Sequence, residues 1–350
     1  MPKIAVIVSP NYKNYAERFL TDCLASLREQ TITDFKLFLV DNESTPASLT
    51  FLKKKAPEAE IISLPKNEGF AGGNNAALTL ALKDNYDYAF LINMDALADK
   101  DCLEKLVNFL EKNKTVAAVQ PRIMLWPQKD LINSLGNETH FLGFGYCQGY
   151  NKKFNEETGN LVKPISYASG AGVLFRLSAL KQVGLFDEEF WMYNEDQDIC
   201  LRLWLAGFSS YIYPEAVMYH KYEFNRSISK YYWMDRNRVL IILKNYHWLT
   251  ILAILPVFIV MEFGLILFSL KSGWFKEKMR IWKYFFSFKS WQHILVERSR
   301  IQAERKINDR TLTKLFSGRI WYQEIDDPKL RFINPVFSFY WRVVRLIMFW

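Results

Sequence analysis

Four short apolar runs, KIAVIVS (3–9), FKLFLVD (35–41), AEIISL (59–64) and YAFLIN (88–93), recur through the first hundred residues, and amphipathic stretches of helical length separate them. Residues 15–29 set Phe19, Leu20, Cys23, Leu24 and Leu27 on one face, with Asn14 and Glu17 spaced as a capping pair at its start. Residues 74–84 and 101–113 repeat the pattern. Such alternation predicts an α/β fold, a mixed, mostly parallel sheet with helices on both faces. Ligands bind these sheets outside the carboxyl ends of the strands. Asp41 closes the second run, and Asp95 follows the fourth in LINMDALAD. Two carboxylates delivered to one sheet edge exceed what a turn preference asks for.

Residues 125–165 are rich in Gly and Asn with little periodicity, and a long, partly mobile excursion is expected there. A further strand over 166–175 leads into VGLFDEEFWMYNEDQDICLRLWLAGF (183–208). Its stretch 196–206 reads as a helix stopped by Gly207, with Asp198 and Arg202 four apart and able to pair. The four cysteines form no paired motif, and Cys23 and Cys200 fall on helical apolar faces as core filler. The opening MPKIAVIVSPNY has too short an apolar run for a signal peptide, and reads as the first strand of a cytosolic domain.

From about Phe224 the character changes. Residues 1–222 hold 23 Lys and Arg against 27 Asp and Glu, whereas 223–350 hold 22 against 10. So basic a region faces an anionic partner. Its stretch LTILAILPVFIVMEFGLILFSL (249–270) is long enough to span a bilayer, but Pro256 and Glu262 interrupt it. The expected form is an interfacial or re-entrant helix pair. Trp274, Lys276, Lys278, Arg280, Trp282, Lys283 and Tyr284 follow, a mixture suited to a headgroup layer. An ordinary helical subdomain is the alternative. Nucleic acid is not the expected partner, because large apolar blocks interleave with the basic residues and no recognition motif occurs.

Four polar clusters carry chemistry: VDNES (40–44), NEGFAGGNNAAL (67–78), NMDA (93–96), and NEDQD (194–198) with His220 after it. The second is a glycine-rich turn opening a helix, where backbone N–H groups can meet an anion. Asp and His at separated positions can share one divalent ion, and Glu195 or Asp196 can act as a general base. Singly, each has an ordinary reading as a turn, a helix cap or a core histidine. Their joint appearance in this order points to a site.

On the segments VIVSPNY, LVDNEST, NEGFAGGNNAAL, LINMDA, SGAGVLFRLSALKQVGLFDEEFWMYNEDQDICLRLWLAGF and AVMYHKY, the chain resembles the inverting glycosyltransferases of family 2, and most of all their bacterial rhamnosyltransferase-like subgroup. The resemblance runs from Lys3 to about His220, with a weaker extension to about Asp309. It implies the GT-A fold, a Rossmann-like nucleotide-diphospho-sugar transferase domain, over 1–222, and a helical, membrane-associating region over 223–350. Asp41 matches the acid that binds the nucleotide base, with Ser9 and Asn11 lining the same pocket. Asn67, Gly72, Asn75 and Gly170 are implied along the donor. Asn93-Met94-Asp95 matches the Asp-x-Asp motif; its first position is Asn here, so Asp95 is the implied ligand of Mn²⁺ or Mg²⁺ and Asn93 a ribose or water contact. His220 matches a further metal ligand, and Asp196 the catalytic base, with Glu195 beside it shaping the acceptor site.

The implied activity is metal-dependent, inverting transfer of a hexose from a nucleotide-diphosphate donor, dTDP-rhamnose foremost. The implied acceptor is a cell-surface glycan growing on a polyprenyl diphosphate, met at the inner face of the plasma membrane. Two alternatives stand beside it. One is a non-catalytic glycan- or nucleotide-sugar-binding subunit of a polysaccharide assembly complex. The other is a processive polysaccharide synthase, whose Gln-x-x-Arg-Trp motif and several clear transmembrane helices this sequence does not contain.

Overall fold

The apolar runs become the centre of a sheet in the computed structural model, which describes residues 2–222, 228–320 and 328–350. The chain divides into two units. Met1–Asn137, Cys147–Leu203 and Phe208–Glu223 form the first; Glu138–Tyr146, Trp204–Gly207 and Phe224–Trp350 form the second. The expected domain boundary at 222/223 meets residues 223–227, which lie outside the described residues.

In the first unit, β1 (Ile4–Lys13), β2 (Lys36–Ser44), β3 (Glu60–Leu64) and β4 (Tyr88–Ile92) are parallel, in the order β3-β2-β1-β4. Ile4 to Val8 and the whole of β4 are buried, as in strands covered on both faces. The crossovers contain α1 (Tyr15–Arg28), α2 (Pro46–Lys55) and α3 (Gly69–Lys83). α1 buries Phe19, Leu20, Cys23, Leu24 and Leu27, the predicted face. Its start departs from the prediction: Asn14 makes no side-chain cap bond. The fully buried Asn11 serves instead, accepting from the Ala16 N–H at 2.9 Å and donating to Ser48 Oγ at 3.0 Å. Glu17 accepts from that same Ser48 hydroxyl at 2.7 Å.

Beyond β4, a return strand β5 (Ala96–Ala98) precedes α4 (Cys102–Lys112) and β6 (Val116–Leu125). The stretch 125–165 is not the irregular excursion expected. It holds β7 (Ile132–Ser134), β8 (Asn137–His140), β9 (Gly145–Cys147), α5 (Glu156–Gly159) and β10 (Lys163–Pro164). β11 (Gly172–Arg176), α6 (Leu177–Val183), α7 (Glu195–Leu205) and β12 (Ser209–His220) follow. β7 pairs with β6 and β10 with β12, so backbone hydrogen bonds to the main sheet order this polar stretch without an apolar pattern of its own. β11 runs antiparallel between β4 and β6, and β12 lies parallel to β6. The carboxyl ends of β1, β2, β4, β6 and β12 therefore share one edge with the start of β11.

The described helices of the second unit are α8 (Ile228–Asn245), α9 (Trp248–Lys271), α10 (Phe275–Phe285), α11 (Phe288–Ala303), α12 (Asp309–Leu312) and α13 (Pro328–Ile347), and β13 (Phe316–Ser317) pairs with β8. The stretch 249–270 is one helix rather than the expected pair, and Pro256 lies within it. Glu262 does not interrupt it either. Lys278 Nζ donates to Asp235 at 2.6 Å and to Glu262 at 2.7 Å, while Arg238 donates to Asp235 at 2.6 Å and also to Glu262. Two cations and two carboxylates cancel, which makes the near-complete burial of Arg238 and Lys278 tolerable.

Candidate active site

The end of β4 turns sharply. The Asn93 N–H donates to the Ala171 carbonyl at 2.9 Å, the Ala96 N–H to the Asn93 carbonyl at 3.0 Å, and the Met94 N–H to Ser9 Oγ at 3.0 Å. β5 then runs back antiparallel to β12, opposing Ala96 to His220. That return brings Asp95 against His220, with Oδ1 3.1 Å from Nε2. Tyr15, at the start of α1, donates to Asp95 Oδ2 at 2.7 Å. Burial pushes the Asp95 carboxyl up, but the neighbouring His220 and the Tyr15 hydroxyl outweigh it, so the group titrates below its ordinary value.

Asp95 and His220 stand close enough to share a hydrogen bond or a cation. His220 Nδ1 lies 3.2 Å from Asn133 Oδ1, and a ring hydrogen placed on Nδ1 makes that contact a hydrogen bond. In the neutral ring, Nε2 then turns a lone pair toward a carboxylate oxygen. A second proton or a metal cation resolves that repulsion. The separation suits a cation: ligands on adjacent corners of an octahedron with ~2.1 Å bonds lie about 3.0 Å apart. Nearby, the buried Asn93 Oδ1 has no hydrogen-bond partner. Among the described residues no three His, Cys, Asp or Glu side chains form a metal cage. The protein thus offers two ligands and leaves the remaining positions to water or to a bound molecule.

The other half of the site hangs from the start of β11. The Gly170 N–H donates to Asp196 Oδ2 at 3.0 Å, and the Gln197 N–H donates to Oδ1 at 2.8 Å. Because Ala171 holds Asn93 and Gly170 holds Asp196, the two acidic groups flank one short piece of backbone. That piece is tightly packed: a Cβ at Gly172 would come within 2.5 Å of the Met218 side chain. Burial raises both adjacent carboxyls of α7, Asp196 to about 6. Glu195 goes up further, through burial and then through the Asp196 charge. Two backbone N–H groups support the ionised Asp196, whereas Glu195 Oε2 is buried with no partner. Asp196 is therefore the group that ionises first.

The approach to α7 is strained. Trp191, Tyr193 and Asn194 have φ of 60°, 66° and 66°, left-handed values unusual for side chains of this kind. The Trp191 carbonyl accepts from the Phe70 N–H at 2.7 Å and the Ala71 N–H at 3.1 Å. Gly69 makes room for it, since a Cβ there would stand 2.3 Å from that oxygen.

This corrects the expectation for the glycine-rich turn: the first N–H groups of α3 are occupied by Trp191. Asn75, expected along the donor, instead bonds both backbone groups of Phe186 (2.9 and 3.1 Å) and the Glu188 carboxylate (3.0 Å). Gly72 packs against Glu68, whose Cβ would lie 2.6 Å from an added methyl, and Asn67 holds the turn by accepting from Asn42 at 3.0 Å and from the Gly69 N–H at 2.9 Å. Asn11, as described above, is consumed by α1. Asp41 stays at the sheet edge, with Oδ1 accepting from the Ser44 N–H at 2.9 Å and Oδ2 unbonded among the described residues.

Sequence reasoning missed Tyr15 and Asn133. The first turn of α1 opens on the same edge as Asp95, so any polar residue there was a candidate. No motif surrounds Asn133. The predicted pair is present, with Arg202 donating to Asp198 at 2.8 Å, and the same guanidinium also binds the carbonyls of Val183, Gly184 and Leu185.

The sequence profile of glycosyl transferase family 2 matches residues 6–184. The N-acetylglucosaminyl-diphospho-decaprenol L-rhamnosyltransferase of Mycobacterium tuberculosis (strain CDC 1551 / Oshkosh) is 28% identical over 241 residues, covering 63% of this chain and 76% of its own. Among solved structures, S. aureus TarS 1-349 is similar with a TM-score of 0.53 at 18% identity, over 98% of this chain and 90% of that one. GalNAc-T7, solved with UDP, GalNAc and Mn²⁺, gives 0.56 at 12% identity over 70% of this chain and 48% of its own. These two likenesses establish the fold, GT-A.

Proposed function

The chain belongs to glycosyl transferase family 2, and from that premise we propose a metal-dependent, inverting enzyme that moves rhamnose from a nucleotide diphosphate to an acceptor built on a polyprenyl diphosphate. One observation carries the chemistry: a carboxylate that titrates near pH 6, Asp196, is tied through Gly170 and Ala171 to the turn bearing Asp95, which faces His220 at the end of β12. Support for the sugar and acceptor comes from the name of the mycobacterial relative. Support for a divalent ion comes from the Mn²⁺ of GalNAc-T7 and from the 3.1 Å approach of the Asp95 carboxylate to the His220 ring, beside the partnerless Asn93 oxygen.

In this reading the unbonded Oδ2 of Asp41 accepts from the nucleotide base, and the partnerless Oδ1 of Asn93 accepts from the ribose. Asp95 and His220 would hold Mn²⁺ or Mg²⁺, a Lewis acid for the charge left on the departing diphosphate. Asp196 takes the proton of the acceptor hydroxyl as that oxygen attacks the anomeric carbon opposite the diphosphate. The new C–O bond forms as the old one breaks, so the anomeric centre inverts. Glu195, which ionises later, lies beside the incoming acceptor. The basic helical region 223–350 rests on the cytoplasmic leaflet, where a lipid-linked acceptor is met. In its favour, α9 is long and apolar enough to cross a bilayer, and 11% of its most apolar window is covered inside the protein.

A panel of nucleotide sugars, incubated with a lipid-linked acceptor and Mn²⁺ or EDTA and read by product mass, tests this. Rhamnosyl transfer that stops in EDTA is expected. Donor binding without turnover on any acceptor would refute the catalytic reading, and turnover indifferent to EDTA would remove the metal.

A further inference from the structure

Within the second unit, a cavity of about 420 Å³ is lined by Arg310, Lys314, Arg342 and Arg345, with Trp341 in its wall. None of the four cationic side chains has an ion-pair partner among the described residues. Four exposed cations around one cavity, with no ion-pair partner among the described residues, describe a place for an anion.

The helix that carries two of those cations shows what kind of anion. α13 has two apolar faces. Phe337, Trp341, Val344 and Met348 are buried. Phe332, Val336, Phe339, Val343 and Leu346, spaced four, three, four and three residues apart, form a second stripe, 41% to 82% exposed. Arg342 and Arg345 fall between the faces. The Tyr340 hydroxyl, also on α13, donates to the Ala253 carbonyl of α9 at 2.5 Å. α9 exposes its own stripe of Leu252, Ile259, Phe263, Leu267 and Leu270. Two exposed apolar helices flanked by cations are the signature of a segment lying in the headgroup boundary.

We propose that this cavity binds the phosphate headgroup of an anionic membrane lipid, with the exposed stripes of α13 and α9 entering the acyl layer beside it. The inference rests on the reading that residues 223–350 meet a membrane, and gives that contact a specific pocket. Charge selects the occupant: four cations call for phosphate, and the adjoining stripes call for the chains attached to it.

Flotation of the full chain with phosphatidylcholine vesicles, and with vesicles that also contain phosphatidylglycerol, tests it. The wild type should prefer the anionic vesicles. Arg342→Gln with Arg345→Gln should lower partition into them by several-fold more than the roughly 30-fold that two cations near an anionic surface supply without a pocket, leave the weaker phosphatidylcholine binding intact, and leave thermal unfolding unchanged. Lys276→Gln with Lys283→Gln, exposed cations outside the cavity, should cost several-fold less. Equal losses for the two pairs would reduce the effect to diffuse charge and overturn the pocket. So would equal flotation of the wild type with both vesicles, which leaves the membrane reading standing. Release from anionic vesicles by inorganic phosphate, at matched ionic strength, would reassign the cavity to a free anion. Absence of flotation with any vesicle would defeat the membrane reading itself, and the pocket with it.

Discussion

Replacing Asp196 by Asn should cripple catalysis and, above pH 7, make the protein more stable. The native carboxyl titrates near 6, raised by burial from the ordinary 3.8. A folded-state value above the unfolded one means that the native state holds the extra proton between the two. Stability is then greatest below the unfolded value and is lost as pH rises through 6. Two units at 1.36 kcal/mol each give a ceiling of about 3 kcal/mol. Asp196 is only half-buried, so solvent screening trims the cost to roughly 1–3 kcal/mol. Asn removes the charge but leaves one of the two N–H donors, Gly170 or Gln197, facing an amide, at about 1 kcal/mol. It also relieves Glu195 of a neighbouring charge. Urea unfolding of both proteins at pH 5 and pH 8 should show the variant near the wild type at the lower pH, and gaining on it by about 1 kcal/mol at the higher, the part of the loss that falls between pH 5 and 6. Turnover should fall by two or more orders of magnitude, the scale of a lost general base. In the wild type, kcat/KM should fall tenfold per unit below about pH 6, where Asp196 takes up its proton. A stability difference that is flat with pH, or that runs the other way, would refute the assignment of a costly charge to this residue. Unchanged turnover would move the base elsewhere.

Asp95→Ala should abolish the metal-dependent part of donor binding in calorimetry with Mn²⁺ and EDTA, and equal donor affinity in the variant would end its metal role. Asn133→Leu should free the His220 ring and weaken Mn²⁺ binding about 10- to 100-fold, read from the free-Mn²⁺ resonance signal; unchanged affinity would show that the 3.2 Å contact orients nothing. Glu262→Gln should lower stability by about 3 kcal/mol, since Arg238 and Lys278 would then share one carboxylate, and an unchanged unfolding midpoint would discount the four-charge cluster.

The strands β1, β2 and β4 and the helices α1 and α4 were legible because each buried run is apolar and each helix repeats its apolar positions; the half-buried β3 was read from its isoleucines, α2 was not read, and α3 starts five residues before the periodic stretch. Asp95, His220 and Asp196 were legible through their motifs. What the sequence hid was tertiary. A buried strand reads the same in either direction, so nothing in residues 172–176 announced that β11 runs antiparallel. Short polar strands such as β7 take their order from β6. Asparagine misled most. Asn11, Asn75 and Asn93 are the same residue in sequence, yet Asn11 caps a helix, Asn75 staples residues 186–188, and only Asn93 keeps a buried oxygen unspent.

The strain before α7 follows from the same logic. Left-handed geometry at a residue with a side chain costs of order 1–3 kcal/mol, and Trp191, Tyr193 and Asn194 adopt it within four positions. At Trp191 the chain closes a tight three-residue turn, with the Met192 N–H donating to the Phe190 carbonyl at 2.6 Å. In MYNEDQD only Asn194 tolerates that path by itself. It is imposed from outside: by two N–H groups of α3 on the Trp191 carbonyl, by Asn75 on Phe186 and Glu188, and by Arg202 on three successive carbonyls. Those anchors fix where α7 begins, and with it where Glu195 and Asp196 stand relative to Gly170. A carboxylate delivered by a relaxed loop would have to be ordered anew for each reaction. Here the ordering is done when the chain folds, and the α3 N–H groups that could have received an anion are spent on achieving it.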